Sequence, residues 1–168
     1  MSAEKYKSIA NKLKFESRAF INGKYVDAID GQKFENLNPA TGEILCSVAK
    51  CNHKDVDLAV KVARKAFNSG VWSRTSPEFR KDILLKFAEL LKKNGEENSV
   101  IECVDTGKLI GDCINEVAND APMHFQWYGE LIDKVFGKIG STEPSLTSLI
   151  IKEPIGVVAG VVPWNFPL

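Results

Sequence analysis

The chain has 168 residues, with 22 basic and 22 acidic side chains and a hydrophobic fraction of 44%. Its formal net charge of zero excludes a dedicated nucleic-acid binder, whose basic excess clusters on one face, and no apolar stretch approaches the roughly 20 residues of a membrane-spanning helix. Four cysteines without a C-x-x-C pair and only two histidines leave little from which to build a zinc site, and point to reduced thiols in a cytoplasmic protein.

Residues 1–19 read as an amphipathic leader helix, with Tyr6, Ile9 and Leu13 at helical spacing among Lys5, Lys7, Lys12, Lys14 and Arg18. Glu4, Glu16 and the use of lysine over arginine set this leader apart from a mitochondrial presequence. Residues 20–26 and 33–37 predict strands around the turn residues Asp30-Gly31, and residues 44–48 a third short strand. Asn52, with Asp55 three positions on, is a variant capping box that opens a helix to about Phe67. Val56, Ala59, Val60, Ala63 and Phe67 form its core-facing side.

Ser76-Pro77-Glu78 opens the next helix, with a capping hydroxyl, proline at the first helical position and an acid where the helix dipole favours one. Its buried stripe is Phe79, Ile83, Leu84, Phe87, Leu90 and Leu91, and Asn94-Gly95 is expected to stop it in the left-handed manner. Residues 96–106 form a shorter helix ended by Gly107. A long helical pattern then runs from Gly111 to about Phe136, and Pro122 must kink or break it. Its second half is expected to pack Phe125, Tyr128, Leu131, Ile132 and Val135.

Residues 145–151 alternate and are rich in β-branched side chains, a strand pattern. Glu153-Pro154 separates it from a run of Val, Ile, Ala and Gly at 155–162, which predicts a strand buried on both faces. Pro163 lacks an N–H and ends that strand. Ligands of open α/β sheets sit beyond the carboxyl ends of the strands, which puts Trp164, Asn165 and Phe166 where a cofactor or substrate is expected. Residue chemistry alone leaves a second reading open, a proline-bracketed turn with two aromatics in the core.

The whole segment Pro163-Trp164-Asn165-Phe166-Pro167-Leu168, behind its strand, resembles the oxyanion-hole segment of the NAD(P)-dependent aldehyde dehydrogenases. Further segments follow in that family's order. Phe20-Ile21-Asn22-Gly23-Lys24-Tyr25-Val26 resembles its opening strand and Asn38-Pro39-Ala40-Thr41-Gly42-Glu43 its early turn. Val104-Asp105-Thr106-Gly107-Lys108 and Lys152-Glu153-Pro154-Ile155-Gly156-Val157 resemble two later ones. The resemblance covers nearly everything after Phe20 and is nearest to the branch acting on gamma-glutamyl-aminobutyraldehyde and similar aminoaldehydes.

The resemblance implies an α/β fold: the amino-terminal part of the aldehyde dehydrogenase fold, with oligomerisation strands and an incomplete Rossmann-like cofactor domain. Residues 20–51 and 141–154 would belong to the oligomerisation region. Residues 52–140 would be the helical first half of the cofactor-binding domain, and 155–168 the first strand of its sheet with the oxyanion segment.

It also implies site roles. Asn165 would donate to a carbonyl oxygen as it turns anionic, the alternative being a turn former bonded to local backbone. Val162, Pro163 and Trp164 would line the crevice for NAD or NADP, and Phe166 the substrate tunnel, the alternative for the aromatics being plain core. Asp105, with a backbone carbonyl near Leu37, would bind a structural monovalent cation, or else bond local N–H groups at its helix end. Asp120 would stand at the tunnel mouth and attract a distal ammonium, or be a solvated helix-face charge.

None of Cys46, Cys51, Cys103 and Cys113 matches the family's nucleophile motif, and acidic neighbours beside Cys103 and Cys113 disfavour a thiolate. Nucleophile and general-base glutamate both lie downstream of the oxyanion segment in the family. The intact enzyme is therefore expected to oxidise an aldehyde to an acid through a cysteine thiohemiacetal, as a homo-oligomer, while these residues alone are inactive. A rival reading is a non-catalytic interaction fragment that binds full-length subunits; another is a self-standing α/β binding domain. An unpaired apolar strand at 155–162 predicts a poorly soluble or partly molten product when the chain is expressed by itself.

Overall fold

A computed structural model describes residues 3–168. The first helix, α1 (Ala3–Ala10), ends well before residue 19 in a turn, and the rest of the leader is irregular chain; the first two residues of the expected leader lie outside the described residues. α1 is tied to the body by an ion pair between Lys5 and Glu96.

Residues 20–26 do not form one strand but a tight hairpin, β1 (Ala19–Ile21) against β2 (Lys24–Val26). Asn22 and Gly23 both have positive φ, 56° and 73°, which is the turn that Asn-Gly favours because its twist matches that of the flanking strands. A second antiparallel ribbon joins β3 (Lys33–Leu37) to β4 (Ile44–Ala49) across the Asn38–Glu43 turn, where Asn38 N–H donates to the Glu43 carbonyl at 2.8 Å. The third ribbon is β5 (Lys138–Gly140) with β6 (Ser148–Ile150), the latter shorter than the expected 145–151. All three are two-stranded.

The helix starts follow the capping residues. α2 (His53–Ser69) opens on the reciprocal Asn52–Asp55 capping box, and α3 (Pro77–Lys93) on the Ser76 hydroxyl, which accepts from Phe79 N–H at 3.2 Å. Asp55, only 3% exposed, also accepts from Ile29 N–H at 2.9 Å and so pins the incoming chain to α2.

Asn94-Gly95 does not act as a left-handed stop. Asn94 has φ −100°, and α4 (Gly95–Thr106) begins at once. Gly95 serves close approach instead: a Cβ there would lie 2.7 Å from the Ala118 Cβ. The long pattern after 110 breaks into α5 (Ile110–Cys113), a π-helical stretch Ile114–Asp120, α6 (Ala121–Leu131) and a 3₁₀ turn Ile132–Lys134. The widened stretch sits immediately before Pro122, where the missing N–H interrupts the regular ladder.

The core lies among α3, α4, the π stretch and α6: Ala88, Leu91, Val100, Cys113, Val117 and Ala121 are buried, and the Ser99 hydroxyl bridges the Gly95 and Cys113 carbonyls at 2.6 and 3.2 Å. The expected stripe of α3 is only partly inside. Leu91 is buried, whereas Phe79, Ile83, Phe87 and Leu90 face solvent, as do Val56 and Val60 of α2. Tyr128 and Val135 are likewise exposed. These faces have the periodicity of core but are only partly covered among the described residues, as where the Phe87 ring meets Phe125 edge-on at 4.7 Å.

The largest correction concerns residues 155–162. They run extended without a strand partner among the described residues, and Ile155, Val158 and Val161 are 89%, 72% and 98% exposed. A strand is a property of a pair, because its N–H and C=O groups need a neighbouring ladder, so apolar composition alone cannot make one.

Candidate functional site

The constellation closest to chemistry lies where the end of α4 meets the end of the chain. Gly107 caps α4 in the left-handed conformation, its N–H donating to the Cys103 carbonyl at 3.0 Å, and this turn sends Lys108 back across the helix. The Lys108 ammonium donates to Glu102 Oε1 at 2.8 Å, to Glu116 Oε2, and to the backbone carbonyl of Asn165 at 2.9 Å. It also stands 4.4 Å from the centre of the Phe166 ring. Burial works against the charged ammonium, but its bonds to Glu102 and Glu116 outweigh that and leave its pKa raised.

Asn165 is half-buried within a turn closed by Phe166 N–H to the Pro163 carbonyl at 3.3 Å. Its side-chain amide has no hydrogen-bond partner among the described residues, so both N–H donors remain available. Trp164 and Phe166 are 77% and 50% exposed rather than core. Val162, at 66% exposed, continues the same wet apolar wall. The described residues hold no glycine-rich turn into a helix of the kind that cradles a pyrophosphate.

The remaining expected site residues are dispersed. Asp105, exposed near the end of α4, accepts from the Asn36 side-chain amide at 2.5 Å, which brings it beside Leu37 at the end of β3. It also lines a groove with Asn98, Ile101, Glu102, Pro167 and Leu168. Asp120 ends the π stretch with its side chain exposed and uncapped, and its carbonyl lies 2.8 Å from His124 Nδ1.

The cysteines are free thiols. Burial pushes Cys113, fully inaccessible, up to about 11, and it also raises Cys103, whose Sγ–H donates to the Lys108 carbonyl. Burial, with Asp55 and Asp30 nearby, raises Cys51 as well. A nucleophile needs the opposite shift.

Lys108, Glu102 and Glu116 are absent from the roles drawn from sequence. Lys108 closes the family-like segment Val104 to Lys108, which is the one signal of it in the sequence; a carboxylate at 102, only 6% exposed, is legible as an ion-pair member only once its partner is in place.

Comparison with known proteins gives a consistent picture. Residues 25–168 match the model of the aldehyde dehydrogenase family. Aminoacetaldehyde dehydrogenase of Pseudomonas aeruginosa is 42% identical over 168 residues, covering 100% of this chain and 34% of its own length. The solved gamma-glutamyl-gamma-aminobutyraldehyde dehydrogenase of Burkholderia cenocepacia is 41% identical with a TM-score of 0.96, over 99% of this chain and 34% of that one. An indole-3-acetaldehyde dehydrogenase of P. syringae, solved with NAD+, is 40% identical with a TM-score of 0.96, over 100% of this chain and 34% of that one. The chain thus spans about a third of the length of these relatives.

Proposed function

Because the chain belongs to the aldehyde dehydrogenase family, we propose that it forms the amino-terminal third of an enzyme that oxidises an aldehyde to a carboxylic acid with NAD or NADP, and that Asn165 is its oxyanion donor. The observation that carries this reading is the Asn165 amide, unpaired among the described residues, in a turn that Lys108 holds by its backbone. A cysteine elsewhere in the intact enzyme would add to the aldehyde as a thiohemiacetal, and negative charge would build on the carbonyl oxygen. An amide already oriented toward that oxygen stabilises the charge without reorganising. When bound, the dinucleotide accepts the hydride. Val162, Pro163 and Trp164 would form one wall against it, and Phe166 part of the wall around the substrate.

The raised thiols of Cys51, Cys103 and Cys113 support the reading that these residues alone are inactive. Relatives named for aminoacetaldehyde and gamma-glutamyl-gamma-aminobutyraldehyde support an aldehyde with an amino or amide group, and the exposed Asp120 carboxylate suits a distal ammonium. Asp105 and the Leu37 carbonyl would take a monovalent cation, with the Asn36 amide displaced from the carboxylate. Cytoplasmic placement and a homo-oligomeric assembly belong to the same proposal; among the described residues no helix is long and apolar enough to cross a membrane.

The test is a chimera in which residues 1–168 replace the matched third of the P. aeruginosa aminoacetaldehyde dehydrogenase. Asn165→Ala should lower its kcat by about 10²–10³ with little change in KM for the dinucleotide; an unchanged kcat refutes the assignment. In the same chimera, Asp120→Ala should raise KM for amino-aldehydes far more than for neutral ones. A second reading, a non-catalytic fragment that binds full-length subunits, is favoured by the uncovered apolar faces of α2, α3 and residues 151–168. Loss of activity when the chain is mixed with intact enzyme would support it.

A further inference from the structure

Lys108 is coordinated more fully than an ion pair requires. An ammonium has three N–H donors, and here Glu102, Glu116 and the Asn165 carbonyl take all three while the Phe166 ring covers a further side at 4.4 Å. A lysine serving only to staple α4 to the π stretch would need the two carboxylates and nothing else. The reach to residues 165 and 166 is additional. Among the described residues it is the one hydrogen bond that joins residues 151–168 to the helices.

The base of the clamp is rigid. Lys108 follows the Gly107 cap, where a Cβ would meet Pro39 Cγ at 2.9 Å, and its own carbonyl accepts from the Cys103 thiol at 3.1 Å. Glu102 lies on α4 and is almost wholly buried. Glu116 comes from the π stretch, whose neighbour Cys113 is bonded to Ser99 of α4. Ammonium, carboxylates and helix end therefore form one unit, and the turn 163–166 hangs from it by a carbonyl and a ring.

We infer that Lys108 is a positioning residue for Asn165: by fixing the carbonyl and the following ring it sets the direction in which the Asn165 side-chain amide leaves the backbone. This rests on the oxyanion reading of Asn165, but it is decided by a different measurement. In the ¹⁵N-labelled chain, the side-chain amide pair of Asn165, identified by its loss in Asn165→Asp, and its backbone N–H should stand away from random-coil positions at pH 7.

Lys108→Met should collapse both to random-coil positions while the resonances of residues 95–106 stay in place, and Lys108→Arg should restore much of the wild-type shift. Random-coil positions for Asn165 in the wild type, or unmoved Asn165 signals in Lys108→Met, overturn the inference. Should Lys108→Met unfold α4, Lys108→Gln, which keeps a donor beside Glu102, decides: Asn165 signals that collapse to random-coil positions with the resonances of residues 95–106 in place support the clamp, while unmoved ones overturn it. A chimera indifferent to Asn165→Ala would remove the oxyanion role and leave these shifts standing, so the two failures are separable.

Discussion

The helical body and residues 151–168 use apolar residues in opposite ways. Around α4, the π stretch and α6, modest side chains such as Val100, Cys113 and Val117 are 2% exposed or less, and even the buried Ser99 hydroxyl is bonded. In the terminal ribbon Ile151, Ile155, Val158 and Val161 are all more than 70% exposed. The ribbon's backbone path is nevertheless that of the longer relatives, since the whole chain superposes on one of them with a TM-score of 0.96. Apolar content therefore does not decide which segment supplies stability; the presence of a facing surface does.

Substitutions can break or sharpen this contrast, and the largest effect is expected where the body fixes its entry strands. Asp55→Ala removes the buried acceptor of the part-buried hydrogen bonds from the N–H groups of Asn52 and Ile29. Hydrogen bonds to a charged acceptor contribute ~1.5–3 kcal/mol each and an orphaned donor costs a similar amount. A loss of about 3 kcal/mol, lowering Tm by roughly 5–10 °C for a chain of this length, should appear in a thermal melt. A melt unmoved by Asp55→Ala would deny the body its role as the stable unit.

Next in size is Gly95→Ala. Its Cβ would fall 2.7 Å from the Ala118 Cβ and 2.9 Å from the Ala118 Cα, and overpacking of this kind costs ~1–3 kcal/mol. Helix propensity returns at most ~1 kcal/mol, so a net loss of about 1 kcal/mol should be measurable by urea titration. A stabilised variant would mean that α4 and the π stretch separate freely.

Asp133→Asn should act more weakly and only in acid. Lys134 first, and then Lys81, hold the Asp133 carboxyl down to about 2, linking the end of α6 to α3 through an exposed pair at 3.0 Å. A carboxylate with a depressed pKa adds stability above its ordinary value of 3.8 and loses it as pH falls through about 2. The variant should therefore flatten that part of the stability profile, and added salt should do much the same to the wild type. The smallest effect is expected in the ribbon. Val161→Lys replaces a side chain 98% exposed, so Tm should not move while light scattering at high concentration falls.

Local signals carried the helix starts. Asn52 with Asp55, and Ser76 with Pro77, satisfy the first-turn N–H groups by themselves, so those starts are legible in a few residues. The hairpin at Asn22-Gly23 was equally legible in principle, but the alternation of residues 20–26 masked the turn inside it. Asn94-Gly95 misled for the opposite reason: its residues are those of a stop, yet Gly95 is present because Ala118 crosses there.

By itself, the sequence determined the helix starts at Asn52 and Ser76, the helix stop at Gly107, the family resemblance and the presence of an asparagine amide behind a proline-ended apolar run. Those depend on interactions within a few residues or on the identity of a motif. Tertiary structure decided which apolar faces are covered, that residues 155–162 have no strand partner among the described residues, and that Lys108 reaches across 57 positions to Asn165. Burial, strand pairing and a three-donor clamp each need partners distant in the chain, and no local pattern records whether those partners arrive.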